Sequence, residues 1–374
     1  MNKNNRIFGT YCIYFICMAL FCGIRILSEM GVFNSIESPE LRSVVTTLII
    51  QLGIMFLLPL ILCCIFFKKK PKEIIKHNEY KFIGFKAIGV CFLLGILIYM
   101  LNVAISAVSN GIIQSFGYKN YTETTQSSLS PIQLFFFELV LVAILPAICE
   151  EFLHRGVLLQ GIRSMGYKRA IVISGILFGL IHFSITQTIY ATVIGILLGF
   201  VAIASKSIIP AIIIHFTNNF ISLYLSYASA YNWTGGKTIN GISSMLVNSN
   251  PILTFIACFV FLSVVCTGIV FLIYLLFRLT TLKYIQKEMD EKIRAVRYSD
   301  KAINDIKGVR KVVEIVETSY TLNLYTPPID SPVDMMLPPQ ANIYKTNFVD
   351  RVFFYGSTML GVLVTIFTFV WGLV

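Results

Sequence analysis

Residues 145–156 read Leu-Pro-Ala-Ile-Cys-Glu-Glu-Phe-Leu-His-Arg-Gly, so two carboxylates and a guanidinium lie inside an otherwise apolar stretch. A charged side chain at the centre of a bilayer costs about 3 kcal/mol or more, and such residues in membrane segments usually mark a functional site. Side chains at positions i and i+4 share one helix face, which predicts an ion pair between Glu151 and Arg155. Glu150 then points elsewhere, and an unpaired carboxylate in low-dielectric surroundings is suited to exchanging protons near neutral pH.

The composition predicts an integral membrane protein. The 374 residues are 56% hydrophobic and only 13% charged, with a mean hydropathy of +0.77, whereas soluble domains carry about 25% charged residues. A helix needs about 20 apolar residues to cross a bilayer. The runs that approach this length cover residues 7–27, 43–67, 83–109, 132–162, 169–185, 188–204, 207–230, 251–277 and 352–374. We therefore predict an all-α fold, a polytopic transmembrane helical bundle of about eight to nine spans.

The basic residues predict how the chain is oriented. The net charge is +11, and Lys and Arg concentrate in alternate links such as residues 68–86, whereas residues 110–130 contain only Lys119. Basic links favour the cytoplasm, so we expect a cytoplasmic N-terminus and, after about nine crossings, an external C-terminus. His77 and His154 lie in or beside basic links and are expected to be solvated. The expected location is a bacterial plasma membrane, with membrane lipid as a partner, and no basic stripe with interleaved aromatics indicates nucleic-acid binding.

Four regions follow from these patterns. Residues 1–40 form an N-terminal span and outer loop, 41–278 an intramembrane core, 279–350 a charged cytoplasmic segment with a proline-rich linker, and 351–374 a last span. The charged segment begins with helical spacing and then becomes irregular. Its helix either lies on an anionic membrane surface or is simply solvated, and both alternatives stay open. The nine cysteines lie in or beside the apolar runs, which indicates apolar filler rather than disulfides or a metal site.

Two further polar pairs occur in other apolar runs. His182 follows Phe178 by four residues and Asn219 follows His215 by four, while Asn218 is placed to share the same face. Counted from the nearest basic link at 1.5 Å per residue, these groups and the free carboxylate all lie about 12–18 Å deep. Convergence on one level near the midplane predicts a shared site. The alternative is that each polar group only hydrogen-bonds a neighbouring helix.

The three motifs together resemble those of the CPBP family, the CAAX proteases and bacteriocin-processing enzymes that are also called the Abi family. In the family's order, and each on its own helix, they are Glu150-Glu151-x-x-x-Arg155, Phe178-x-x-x-His182 and His215-x-x-x-Asn219. The resemblance covers roughly residues 40–230. It implies an intramembrane endopeptidase whose all-helical core corresponds to region 41–278, and it does not account for the first span, the charged segment or the last span.

The resemblance also implies roles for the site residues. Glu150 and His182 would activate the attacking water. His215 and Asn219 would donate hydrogen bonds to the developing oxyanion, and the ion pair would hold the base in place. No cofactor is predicted. Zinc is the alternative, held by Glu150, His182 and His215 with one position left for water, although the sequence contains no His-Glu-x-x-His motif.

The predicted function is hydrolysis of a peptide bond in a membrane-associated peptide or protein. In bacteria the resemblance suggests peptide precursors, leader peptides or bacteriocin immunity as the context, whereas eukaryotic relatives cut behind a prenylated cysteine. The first alternative is a non-catalytic immunity or peptide-binding membrane protein that uses the same cavity. The second is a proton-coupled transporter, which would show repeat symmetry and discontinuous helices, and no such repeat is visible in the sequence.

Overall fold

Helices joined by turns and short irregular links make up the part of the chain that the computed structural model describes, namely residues 3–77, 80–119, 127, 129–236, 251–282, 346 and 348–373. No strand occurs at those residues. Lipid offers the backbone no hydrogen bonds, so a chain this apolar satisfies its N–H and C=O groups within helices. The predicted all-α fold is confirmed, while the charged segment of region 279–350 lies almost entirely outside the described residues.

Within those residues, eight helices are long and apolar enough to cross a membrane. The helices in chain order are α1 (Lys3–Glu29), α2 (Pro39–Phe67), α3 (Pro71–His77), α4 (Phe85–Ser115), α5 (Pro131–Met165), α6 (Tyr167–Leu180), α7 (Ile185–Ser205), α8 (Ile209–Tyr231), α9 (Pro251–Phe277) and α10 (Phe348–Trp371). Short turns of other helix types add Val32–Ser35 and Arg278–Leu282. Only α3 and α6 fall below the length of a span. The run predicted as a span over 169–185 is therefore a 14-residue helix, α6, followed by a turn.

Two wide π-helical turns precede prolines in the middle of spans. Ile49–Leu57 of α2 is π-helical and ends just before Pro59, and Leu139–Ile144 of α5 ends just before Pro146. A proline inside a helix has no N–H to donate, and its ring clashes with the carbonyl four residues earlier. A wider turn relieves that clash. A third π stretch follows in α5, so Leu145–Glu151, the segment that carries both glutamates, is flanked by wide turns on both sides.

Helices α6 and α7 form a tight antiparallel hairpin through glycines. A Cβ atom on Gly195 would lie 3.0 Å from the Cα atom of Gly175, and one on Gly179 would lie 2.6 Å from the carbonyl oxygen of Thr188. Small residues spaced by four let two membrane helices approach closely. The hairpin connection, residues 181–184, is thereby held against the bundle.

Helices α1 and α10 pack in parallel, with α6 beside them. The rings of Phe8 and Phe353 lie 5.3 Å apart, and a Cβ atom on Gly361 would lie 2.7 Å from side-chain atoms of both Met18 and Leu180. Met18 and Gly361 are near the middle of their own helices. Leu180 is the last residue of α6, so α6 ends near the middle of the bundle's thickness.

The segment with the two glutamates lies at the centre of this arrangement. It packs against the π-helical part of α2 on one side and against α8 on another, and α8 in turn contacts α4 and α7. The part of α5 that follows packs against α6. Leu145–Glu151 is therefore flanked by α2 and α8, while α6 and α7 flank the part of α5 that follows it.

Candidate active site

Glu151 is completely buried, and its Oε1 atom accepts two hydrogen bonds. Arg155 Nη1 donates at 2.6 Å, which is the ion pair that the four-residue spacing predicts. His215 Nδ1 on α8 lies 2.9 Å from the same oxygen. A carboxylate bonded to Nδ1 fixes the orientation of an imidazole ring and the position of its proton. Glu151 therefore joins α5 to α8 through a charged group.

Arg155 is buried and contacts three different groups. Besides the carboxylate of Glu151, it meets the carbonyl oxygen of Gly195, to which Nη2 donates at 2.9 Å. Its guanidinium also lies over the ring of Phe178, 4.5 Å from the centroid. Aromatic faces attract cations, and this attraction increases where water is excluded. The guanidinium thus links α5 to both arms of the α6–α7 hairpin.

The ring of Phe178 is the common neighbour of three histidines. Its centroid lies 4.9 Å from that of His154, 5.3 Å from that of His182 and 5.6 Å from that of His215, each in an edge-to-face arrangement. Edge-to-face contact is a preferred geometry of aromatic pairs. The predicted site histidines His182 and His215 therefore come together around one phenylalanine.

His182 lies just beyond the end of α6 and is half-buried. Its Nδ1 atom is 2.8 Å from the carbonyl oxygen of Phe178. A carbonyl only accepts, so Nδ1 carries the hydrogen, and the other ring nitrogen of a neutral imidazole keeps a lone pair. The next residue, the buried Phe183, has φ 51. A bulky residue in that left-handed region is strained, and such strain clusters at functional sites.

Glu150 is half-buried and faces away from Glu151, as predicted. Its Oε1 atom accepts a hydrogen bond of 2.9 Å from Gln51 Nε2 on α2. Its Oε2 atom accepts no hydrogen bond from the described residues. This oxygen is not completely buried. One carboxylate oxygen is therefore held, and the other is free to bind water.

The prediction that His154 is solvated is wrong, because its side chain is completely buried. Its Nδ1 atom lies 2.8 Å from the carbonyl oxygen of Glu150, and its Nε2 atom lies 3.1 Å from the hydroxyl of Tyr14. Helix α1 covers this face of α5 and brings that hydroxyl with it. The side chain of His77, the other histidine expected to be solvated, lies outside the described residues.

Asn219 is half-buried and occupies a polar chain beside the histidines. Its Nδ2 atom donates at 3.1 Å to the carbonyl oxygen of Val142. In a regular α-helix this carbonyl would accept from the residue four positions later, but that residue is Pro146, which has no N–H. Asn218 donates to Asn219 Oδ1 at 3.1 Å, and Asn102 on α4 donates to Asn218 at 3.3 Å. Among the described contacts, Asn219 touches none of the other predicted catalytic groups. The second hydrogen of its Nδ2 atom has no acceptor in those contacts.

The link between α3 and α4 also approaches the site. Burial, and after it the charges of Glu151 and Cys149, raise the pKa of the Tyr80 hydroxyl, so this phenol stays protonated. The hydroxyl of Ser207 at the start of α8 donates to the carbonyl oxygen of Lys81 at 2.7 Å and ties the link to the bundle. Tyr80 is therefore a neutral phenol in a link that is tied to the start of α8.

The predicted alternative is a zinc site held by Glu150, His182 and His215. The donor types fit zinc, because both imidazoles are held at Nδ1 and one carboxylate oxygen is free. Their arrangement does not fit, since among the described residues no three His, Cys, Asp or Glu side chains form a group that could hold a metal ion.

Three side chains at the site were not predicted, namely Gln51, Tyr14 and His154. Gln51 carried a usable signal, because it is the one amide in the apolar run 43–67. Tyr14 and His154 carried none, since nothing in either apolar run indicates that these two residues face each other. Their roles become visible only when it is known that α1 packs on α5.

Residues 132–221 match the family described as "Type II CAAX prenyl endopeptidase Rce1-like". This stretch runs from α5 into α8 and contains every predicted site residue, from Glu150 to Asn219. The resemblance indicated by the three motifs is confirmed over this stretch. No curated protein and no solved structure matches the chain. The family is one of endopeptidases, and the long apolar helices make the chain an integral membrane protein.

Proposed function

We propose that this chain, whose residues 132–221 belong with the CAAX prenyl endopeptidases, hydrolyses a peptide bond of a membrane-associated peptide or protein. One observation carries the proposal. Glu150, half-buried with one free carboxylate oxygen, stands next to a buried set in which Glu151 binds both Arg155 and His215. A base, an orienting imidazole and oxyanion donors are the groups that peptide hydrolysis needs.

In the proposed reaction, Glu150 accepts a proton from a water molecule that binds its free oxygen. His182 orients this water through its second ring nitrogen. The water oxygen attacks the carbonyl carbon of the peptide bond and forms a tetrahedral intermediate. The proton held by Glu150 then passes to the amide nitrogen, the C–N bond breaks, and an acid and an amine are released.

His215 and Asn219 are proposed to stabilise the oxygen of the intermediate. Because His215 Nδ1 is bonded to Glu151, His215 can donate to the oxyanion only through Nε2, and it must then carry both ring protons. The carboxylate of Glu151 offsets the resulting charge. Asn219 would donate its second amide hydrogen. The ion pair of Glu151 and Arg155 is thus proposed to hold His215 as well as the helix that carries Glu150.

The proposed substrate is a peptide that reaches the site from within or beside the bilayer. The end of α6 lies level with the middle of α1 and α10, so the bond to be cut must enter to about that depth. The family's description points to peptides with a prenylated cysteine near the C-terminus. Bacterial peptide precursors are the second source, with a bacterial plasma membrane as the proposed location.

The test is a Glu150→Gln variant, which keeps the shape of the side chain and removes the base. The purified protein in proteoliposomes would be given quenched fluorescent peptides that end in Cys-aliphatic-aliphatic-Xaa, with and without a farnesyl group. We expect cleavage to fall at least about 100-fold, because general-base catalysis contributes factors of this size. The thermal unfolding midpoint should stay unchanged.

Glu37→Gln is the matched control, since it makes the same change at an exposed position of the outer loop. Normal cleavage by Glu150→Gln would remove this residue from the mechanism. Peptide binding without cleavage in the wild type would instead establish the non-catalytic alternative. The same assay with a strong zinc chelator is expected to keep its rate, because the proposed reaction uses no metal, and a loss reversed by zinc would contradict this.

A further inference from the structure

We propose that Gln51 is a positioning residue, which holds the carboxylate of Glu150 for its reaction with water. The inference rests on the proposed function, because it concerns the same carboxylate. Gln51 lies in the π-helical part of α2, outside the stretch that matches the family. The site would therefore depend on a helix that the matched segment does not contain.

The contact itself defines what Gln51 does. Gln51 Nε2 lies 2.9 Å from Glu150 Oε1 and donates to it. The orientation of the amide follows from its partner, because an ionised carboxylate only accepts and would repel the amide oxygen. A neutral amide donates without giving up its proton. Gln51 therefore supports the charged form of Glu150 without competing with it as a base.

The other end of the amide argues against a purely structural role. Gln51 is 8% exposed, and its Oε1 atom is buried without a hydrogen-bond partner among the described residues. An amide kept only to join two helices is expected to use both of its ends, because a buried unpaired acceptor is costly. Here the donor end alone is used, and it is used on Glu150.

The hydrogen bond to Oε1 of Glu150 also fixes the position of its Oε2 atom. With Oε1 bound to Gln51, rotation of the carboxylate is restricted, and Oε2 is left as the oxygen for water. Alignment of a base with its proton donor is a large part of catalysis, and small displacements lower the rate strongly.

The support of the amide is rigid, as positioning requires. Five residues along α2, the ring of Phe56 packs on that of Phe152 with centroids 4.6 Å apart. Phe152 follows Glu151 directly and is completely buried. An apolar contact thus fixes α2 to α5 close to the hydrogen bond. The wide π turn that contains Gln51 is a feature often found at functional sites.

The test is a Gln51→Leu variant, which keeps the volume and removes the donor. With the peptides and proteoliposomes described above, we expect kcat to fall about 10- to 100-fold and KM to change by less than about twofold. In a Glu150→Gln background, Gln51→Leu should cause no further loss, because it acts through that carboxylate. Gln114→Leu, at an exposed position of α4, is the matched control and should cleave normally.

A normal kcat for Gln51→Leu, or a loss that adds fully to that of Glu150→Gln, would overturn the inference while leaving the proposed function intact. Gln51→Met serves the same purpose if the leucine variant does not fold. A cycle of thermal unfolding with Gln51→Leu, Glu150→Ala and the double variant needs no substrate, and non-additive midpoints are expected from residues in contact. Additive midpoints would contradict the contact. If the wild type cleaves none of the peptides, the proposed function fails and the role of Gln51 fails with it.

Discussion

At the scale of single residues, the charge of Arg155 is what the interior of the bundle has to accommodate. A buried guanidinium is costly unless a counter-charge and hydrogen-bond acceptors lie around it. Arg155 has the carboxylate of Glu151, the carbonyl oxygen of Gly195 and the ring face of Phe178. The planar guanidinium donates from separate nitrogens to acceptors on two helices at once. A lysine has one nitrogen and cannot reproduce this geometry.

Arg155→Ala is therefore expected to destabilise the protein by about 3–5 kcal/mol, because it leaves the carboxylate of Glu151 buried and uncompensated. Arg155→Lys should recover only part of this loss. The measurement is thermal unfolding in detergent, together with the yield of folded protein. Arg169→Ala, at an exposed position, is the control and should have little effect. An Arg155→Ala loss no larger than that of Glu150→Ala would refute the structural importance of the ion pair.

Contacts within one helix can be predicted from the sequence, whereas contacts between helices cannot. Glu151 and Arg155 belong to one helix, so their spacing alone predicts their contact. The bond from Gln51 to Glu150 joins residues that are 99 positions apart. The periodicity of a helix does not predict which of its faces contacts another helix. Such a contact is therefore known only from the structure. The burial of His154 was missed for this reason.

At the scale of helices, the hydroxyl of Tyr14 carries α1 into the site. Its oxygen lies 3.1 Å from His154 Nε2 and 2.9 Å from the carbonyl oxygen of Leu177, and its single hydrogen is shared between these two acceptors. That carbonyl already accepts from the N–H of Ile181. Tyr14 thus serves two partners on α5 and α6, and the packing of α1 is coupled to the helix that presents Glu150.

A pair of substitutions tests this coupling. Tyr14→Phe leaves a buried ring nitrogen of His154 unpaired, which costs about 1–3 kcal/mol. The double change Tyr14→Phe with His154→Phe removes both polar partners and is expected to recover much of that loss, as thermal unfolding would show. Tyr11→Phe is the matched control on the same helix, since among the described residues its hydroxyl donates only to the sulfur of Met165, at 3.4 Å. Additive losses in the double variant would contradict the contact.

The hairpin of α6 and α7 shows what helix patterns predict and what they omit. The sequence placed apolar runs at 169–185 and 188–204 and gave His182 a midplane depth. The structure ends α6 at Leu180, level with the middle of α1 and α10. Gly175 and Gly179 are four residues apart in the sequence, but no sequence pattern identifies the helix that packs against them. Close packing there brings Phe178 next to the carbonyl that Arg155 binds.

At the scale of the whole molecule, the matched stretch is enclosed by helices from both ends of the chain. Contacts between α1 and α10 advance together, from Phe8 with Phe353 to Met18 with Gly361. The two helices therefore run parallel. At the far end, the N–H of Lys119 after α4 donates to the carbonyl oxygen of Gly372 after α10 at 2.9 Å, so these two helix ends share one face.

These directions predict that the two chain ends lie on opposite faces of the membrane. Parallel spans begin on the same side of the membrane, so α10 ends on the side opposite to the start of α1. The α6–α7 hairpin returns to the side on which it starts, so it does not alter this result. Protease protection of epitope tags at residue 1 and after residue 374, in sealed vesicles, measures this. The concentration of Lys and Arg in alternate links further predicts a cytoplasmic N-terminal tag. A tag after Gly84, before α4, is the control and should be protected together with the N-terminal tag. Two terminal tags protected alike would contradict the parallel packing of α1 and α10, and with it the contact that brings Tyr14 into the site.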